Sequence, residues 1–242
     1  MAAKRILKTV GFVAGVGAAV YGTLVWSAWN RYGYPKPPSR KEEDPLLDEF
    51  MPDYDVVERH SVVVNASAAE AYRAACEMDL ENSSIVQLLF KSRALIFGAI
   101  PGREHAGHGM ITRMKALGWG ELAELPGREI VMGSVTQPWE ADVVFRAIAA
   151  DRFAAFHEKG FVKIAWTLRV DPLTETTSTF RTETRAVACG SLARSKFRPY
   201  WAFLSPGIAL IRVAMLRQLK RELKVQQARL LSRSQSASPS AR

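Results

Sequence analysis

From Thr9 to Trp29 the chain carries no charged side chain, and across the wider stretch Ile6 to Trp29 Lys8 is the only charge. A run of that length matches the ~20 apolar residues needed to cross the hydrocarbon core of a bilayer. The aromatic residues Tyr21, Trp26 and Trp29, with Tyr32 and Tyr34 beyond, have the placement of an interfacial belt at the far end. A cleaved secretory signal is the competing expectation, since Lys4 and Arg5 precede the run. A cut after Ala28 would put the bulky Trp26 at the −3 position, and a cut after Ala19 would leave too short an apolar core, so an uncleaved anchor over residues 1–33 is expected. Lys4, Arg5 and Lys8 before the span balance Arg31, Lys36, Arg40 and Lys41 after it, which leaves the membrane side open. Gly11 and Gly15, then Ala18 and Gly22, repeat a small-residue spacing that could let two such helices pair as a homodimer, although small residues are common in membrane spans anyway.

The charge of the chain belongs to its ends. The formal net charge is +9, yet residues 34–189 hold 18 basic against 23 acidic residues, while from Gly190 onward eleven Lys/Arg face only Glu222. A basic end beside an apolar anchor points to a membrane surface before it points to nucleic acid. Cys76 and Cys189 have no metal or redox spacing and read as two buried thiols, with a disulfide as the alternative.

Residues 34–53 form a Pro-rich, charged linker, of which Tyr34 to Pro45 is expected to be an extended, solvated spacer that lifts the body off the membrane; Leu46 to Tyr54 is expected to dock on the body's surface. The body, 54–231, is of the α+β class. Val56 to Val64 has the β-branched composition of a strand, and Ala68 to Met78 has helical spacing behind Ser67 and Glu70, a capping-box pair. A second helical stretch runs from about Ser84 to Phe97, followed by a glycine-rich loop to Gly109. Extended segments then follow: Leu117 to Leu125, a turn at Pro126-Gly127, Glu129 to Val135, Val143 to Ile148, Phe161 to Val170 and Ser178 to Ala188. In Phe161 to Val170, Val162, Ile164, Trp166, Leu168 and Val170 share one face, and a half-buried antiparallel strand is expected. From Ser191 helical spacing returns, interrupted at Ser205-Pro206-Gly207, then resumes with Ile208, Ile211, Met215, Leu219 and Leu223 on one stripe and Arg212, Arg217, Lys220, Arg221, Lys224 and Arg229 on the other. Residues 232–242 read as a disordered tail.

This order of elements, together with Tyr54-Asp-Val-Val-Glu-Arg-His60, Gly127-Arg-Glu-Ile-Val-Met-Gly133, Gln137-Pro-Trp139, Phe153-Ala-Ala-Phe156, Phe161-Val-Lys-Ile-Ala-Trp166 and Thr182-Glu-Thr-Arg185, resembles the START-like or SRPBCC superfamily over about Tyr54 to Leu223. The resemblance implies a helix-grip fold, in which a curved antiparallel sheet of about seven strands wraps a long C-terminal helix, and often a cavity for a hydrophobic ligand. It leaves the chemistry open.

No catalytic motif stands out. The four histidines, His60, His105, His108 and His157, lack the spacing of a hydrolytic metal site, and no nucleophile elbow, phosphate loop or dinucleotide fingerprint is present. Neither a metal nor a cofactor is expected. Arg181, Glu183 and Arg185 alternate along one strand and so share a face, as a solvent-facing ion-pair ladder or as head-group contacts on a cavity wall. Trp166, Trp119, Trp139, Tyr200 and Trp201 line a cavity or fill a core. Three functions compete: a membrane-tethered module that binds or transfers a lipid or other hydrophobic molecule, a cyclase- or hydratase-like enzyme using Arg181, Glu183 or Arg185, and a scaffold with a filled core.

Overall fold

Two faces of one sheet, each covered by a different part of the chain, organise the molecule. The computed structural model describes residues 2–78 and 109–236, and the side chains of 15–78, 109–229 and 232. The expected second helix, the glycine-rich loop with His105 and His108, and the last six residues lie outside the described residues.

Five strands pair antiparallel in the order β1-β5-β4-β3-β2: β1 (Val56–Val64), β2 (Gly120–Leu125), β3 (Glu129–Thr136), β4 (Val162–Pro172) and β5 (Ser178–Ala188). The sheet has five strands among the described residues where about seven were expected. Val143 to Ile148 is one missing strand: it makes a single bridge, with Arg146 and Val135 exchanging both backbone bonds at 2.9 and 3.0 Å. Leu117 to Gly120 enters from a short helix, α4 (Met110–Ala116), in a region expected to be extended. The other helices are α1 (Ala2–Arg31), α2 (Pro45–Phe50), α3 (Ala68–Glu77), α5 (Ala150–Phe153) and α6 (Ser191–Ser236).

Local chemistry starts these elements, at α3 and at the β2–β3 turn where the sequence predicts, at α2 within what was expected to be a linker. Ser67 and Glu70 close both halves of the capping box ahead of α3. Asp44 caps α2, its Oδ1 accepting from the Leu47 amide at 3.0 Å, with Pro45 in the first turn where its missing N–H is harmless. Gly127 takes φ +72° at the β2–β3 turn, a conformation that favours glycine.

The C-terminal helix differs from expectation in two ways. It runs unbroken through Pro199 and Pro206, and it continues to Ser236, five residues into the expected tail. Tertiary packing holds it on both sides of Pro206: Phe197 and Trp201 are buried with Tyr32 and Val162, and Met215, Leu219 and Leu223 are buried against the sheet. Such anchoring overrides the interior proline penalty that sequence reasoning applies.

On the α6 side of the sheet, Met132, Trp166, Leu168, Val170 and Phe180 pack with Ala71, Ala75, Met215 and Leu219. The opposite side was expected to face solvent. It is covered by α2, by α5 and by the Pro-rich segment, whose Leu47 and Met51 pack on Val131, Ala165 and Phe153. The segment read as a free spacer is thus a strap: the carbonyls of Lys36, Lys41 and Glu43 accept hydrogen bonds from Arg59, Arg181 and Arg169. Alternation reveals which residues share a face but not what lies upon it.

The last turns of α1 lean on α6. Tyr21 packs edge-on to Phe203 at 5.7 Å and donates to its carbonyl, and the Arg198 guanidinium lies 4.3 Å over Trp29 while donating to the Trp29 carbonyl at 3.1 and 3.3 Å. Val16, Val20, Leu24 and Trp26 of α1 remain exposed. Among the described residues, the Ser191–Arg229 part of α6 is long and apolar enough to cross a membrane, and 33% of its most apolar window is buried in the protein. Its apolar stripe is explained by the core it packs against.

Candidate ligand-binding site

Cross-strand register builds the site. On the α6 face, Glu58, Thr184, Trp166 and Met132 form one row across β1, β5, β4 and β3, and His60, Thr182, Leu168 and Ile130 form the next. Neighbours in a row project to the same side of the sheet. The β1 and β5 ends of both rows are therefore polar, and the β4 and β3 ends apolar.

Arg212 comes down from α6 onto the polar ends. Its Nη2 donates to Thr184 Oγ1 at 2.6 Å and its Nη1 to Thr182 Oγ1 at 3.4 Å, with the guanidinium 5.9 Å from the Trp166 ring. Beside it, His60 Nε2 stands 3.3 Å from Glu58 Oε2, both side chains being half-buried. A cation, two hydroxyls and an imidazole–carboxylate pair thus share one corner of an apolar face. Such a corner can orient the polar end of an otherwise hydrophobic molecule.

At the other end of the second row, Ile130 floors an open groove of about 380 Å³ between α3, α4 and the β2–β3 hairpin. Tyr72, Cys76 and Ile111 form its apolar wall, and Lys115, Glu121 and Glu124 its rim. Tyr72 donates to Glu124 Oε1 at 2.7 Å, and Lys115 pairs with Glu121 at 2.7 Å. Burial, then the Glu124 hydrogen bond, raises the Tyr72 hydroxyl far above its ordinary range, so it stays a donor. The Cys76 thiol is pushed up to about 11, chiefly by burial, and is no nucleophile at neutral pH.

The residues singled out in the sequence fall in three places. Trp166 and Trp119 meet on the α6 face with ring centroids 6.1 Å apart, and Trp119 also packs on Phe145 at 5.1 Å. Trp139, Tyr200 and Trp201 belong to a separate cluster around Phe197; the Trp139 ring carries Lys196 at 5.5 Å. Arg181, Glu183 and Arg185 do share a face, but it is the strap face, opposite Trp166, and they are bound up in ion pairs there. Arg185, 1% exposed, donates to Glu183 at 2.7 Å, to Asp48 at 2.5 Å and to the Met51 carbonyl at 2.7 Å. Glu183 also accepts from Arg59 at 2.9 Å, and Arg181 pairs with Asp171 at 2.6 Å. The ladder is real, buried rather than solvent-facing.

Arg212, Thr182, Thr184, Glu58, His60, Tyr72 and Cys76 were missed as site residues. Arg212 was assigned to the solvated side of its helix, yet it stands three, four and seven residues before Met215, Leu216 and Leu219, on the buried stripe. The two threonines alternate with Arg181, Glu183 and Arg185 and so necessarily face the other way.

One five-stranded antiparallel sheet with a long C-terminal helix makes this an α+β domain, an arrangement consistent with the helix-grip layout. Neither a family model nor a curated protein matches the sequence. Solved structures similar to the chain include the di-domain aromatase/cyclase BexL (15% identity, TM-score 0.34, 69% of this chain and 46% of that one). They also include the ZhuI aromatase/cyclase from Streptomyces (17%, 0.30, 69% and 93%) and norcoclaurine synthase from Thalictrum flavum (14%, 0.31, 78% and 96%). The chain thus spans less than half the length of BexL. Likeness at this level carries no argument about function.

Proposed function

We propose that the chain is a membrane-tethered domain that binds a hydrophobic small molecule with one polar end, a lipid or lipid-like compound, against the α6 face of the sheet. The carrying observation is an open groove of about 380 Å³ floored by Ile130, with a polar corner at the far end of the same cross-strand row, Ile130–Leu168–Thr182–His60, whose middle residues are buried. A volume in the ~300–1,000 Å³ range suits small apolar ligands. For the tether, α1 supplies 30 helical residues, about 45 Å at 1.5 Å per residue, with an exposed apolar surface. The exposed Arg217, Lys220, Arg221 and Lys224 of α6 would add attraction to an anionic surface.

Native mass spectrometry of the detergent-extracted full-length protein tests the binding, with displacement of a fluorescent fatty acid as the second readout. Recovery of an apolar molecule, and its loss from an Ala69→Trp variant that narrows the groove, is the expected outcome. Repeated recovery of nothing, with no fluorescent ligand bound, would favour the filled scaffold.

A second reading, a cyclase- or hydratase-like enzyme, is favoured by one observation: the imidazole of His60 and the carboxylate of Glu58 stand 3.3 Å apart beside Arg212. These three, and not Arg181, Glu183 or Arg185, would then act on a substrate. Turnover by the wild type that is lost in His60→Gln, with ligand binding retained, would establish it.

A further inference from the structure

A second concavity, of about 510 Å³, opens where α1 ends and α6 begins. Tyr32, Tyr34, Ser191, Ser195, Arg194 and Arg198 line it, with no carboxylate among its lining residues; the Tyr32 hydroxyl donates to Asp55 and the Ser195 hydroxyl to the Leu192 carbonyl at 2.9 Å. Asp55 lies behind it and is already engaged: its oxygens accept from the Ala188 amide at 2.9 Å and the Tyr32 hydroxyl at 3.3 Å, and pair with Arg194 at 3.1 Å. The charge of Arg198 has no such partner. Among the described residues it has no carboxylate within ion-pair distance and instead donates to the Trp29 carbonyl, its guanidinium stacked on the Trp29 ring. Among the described residues the groove therefore keeps an uncompensated positive charge. Trp29 and Arg31 close the apolar helix at the same level, and Tyr34, 80% exposed, stands on the other rim.

We infer that this groove holds the phosphate of an anionic phospholipid from the membrane that α1 enters. The inference rests on the tethered reading above. A phosphodiester anion complements the two arginines, the Ser191 and Tyr34 hydroxyls can donate to its remaining oxygens, and the aromatic rings of Trp29 and Tyr34 suit the zone between headgroups and acyl chains. Because the last turns of α1 pack directly on α6, the groove would lie at the bilayer surface, not at the end of a free spacer.

The test reconstitutes the full-length chain in vesicles of phosphatidylcholine alone and of phosphatidylcholine mixed with phosphatidylglycerol, then reads the lipid retained on the protein by native mass spectrometry. Expected is a preference for the anionic lipid of roughly tenfold or more that falls to near unity in the Arg194→Gln/Arg198→Gln double variant. Ser195→Glu, an exposed change that adds repulsion without touching the Trp29 contact, should abolish it too, and keeps the inference testable should the double variant misfold. The Arg128→Gln/Arg152→Gln pair, exposed cations on the β2–β3 turn and α5, should leave it intact. Equal loss in that pair would mean diffuse attraction and would overturn the groove, as would undiminished preference in Ser195→Glu. Binding of inorganic phosphate in the zwitterionic vesicles with the same arginine dependence would reassign the site to a free ion. Release of the chain by alkaline carbonate would sink the tether itself, whereas a chain that stays inserted without lipid preference sinks the groove alone.

Discussion

Arg185 donates from Nε to Glu183 Oε1 at 2.7 Å, two residues away on the same strand, and both side chains are buried beneath the strap that follows α1. The pair joins the segment after the first helix to the middle of the sheet through Asp48 and the Met51 carbonyl. It serves to hold α2 in place, on the side of the sheet opposite the candidate site.

Replacing Arg185 by Ala should cost roughly 3 kcal/mol or more in urea unfolding, because it leaves the buried Glu183 with Arg59 as its remaining cation and frees Asp48. The Arg185→Leu/Glu183→Leu double variant should lose less than the single one, since no unpaired charge remains. Equal losses would show that the arginine stabilises by packing alone.

Glu129 sits beside Asp44 and 3.7 Å from Arg169, 2% exposed. Burial first, and the Asp44 carboxyl second, push its carboxyl up to about 8 from an ordinary 4.5, with Arg169 pulling the other way. The folded state then holds a proton that the unfolded chain has already released between those values, so this group's contribution is full below about 4.5 and is lost as pH rises through about 8. Glu129→Gln should remove that loss, making the variant gain on the wild type as pH increases across this window. Urea midpoints of both proteins, measured at steps of pH, check the sign.

Gly133 leaves room for its neighbours. A Cβ there would stand 2.6 Å from Leu122 Cδ1 and 2.7 Å from the Phe153 ring, so Gly133→Ala should destabilise by about 1–3 kcal/mol. Phe153→Leu, added to it, should restore part of the loss; thermal unfolding of the three proteins reads this directly.

Arg212→Leu should leave the fold intact, since Met215 and Trp166 surround the position with apolar surface. A bound fatty acid should weaken by roughly tenfold or more when its charge-assisted contact is removed. Unchanged affinity in a fluorescence displacement titration would place the polar end of the ligand elsewhere.

Cys76 and Cys189 are both free, and burial raises both thiols, Cys76 to about 11. Reaction with a thiol reagent at neutral pH should be slow in the folded protein and reach two equivalents after denaturation. A quantified yield of one or none in the denatured, unreduced protein would mean a disulfide.

Much of the architecture was legible in one dimension because local rules decide it. The strand Val56–Val64, the capping box at Ser67 and Glu70, the hairpin turn at Gly127, the Ser178–Ala188 strand and the long final helix follow from side-chain alternation, capping and turn chemistry within a few residues. The shared face of Arg181, Glu183 and Arg185 was legible for the same reason, since period two is a property of the strand itself.

What covers a face is decided by residues far away in the chain. Arg185 reads as solvent-exposed until Asp48 and Met51, more than a hundred residues earlier, close over it, and the charged linker reads as a spacer until Arg59, Arg169 and Arg181 bind its carbonyls. Arg212 reads as part of a basic stripe until α6 is laid on the sheet and Thr182 and Thr184 take its donors. Local sequence set the elements and their faces; only the tertiary contacts, made across long separations where burial and ion pairing compete, decided which face holds the strap and which holds the candidate site.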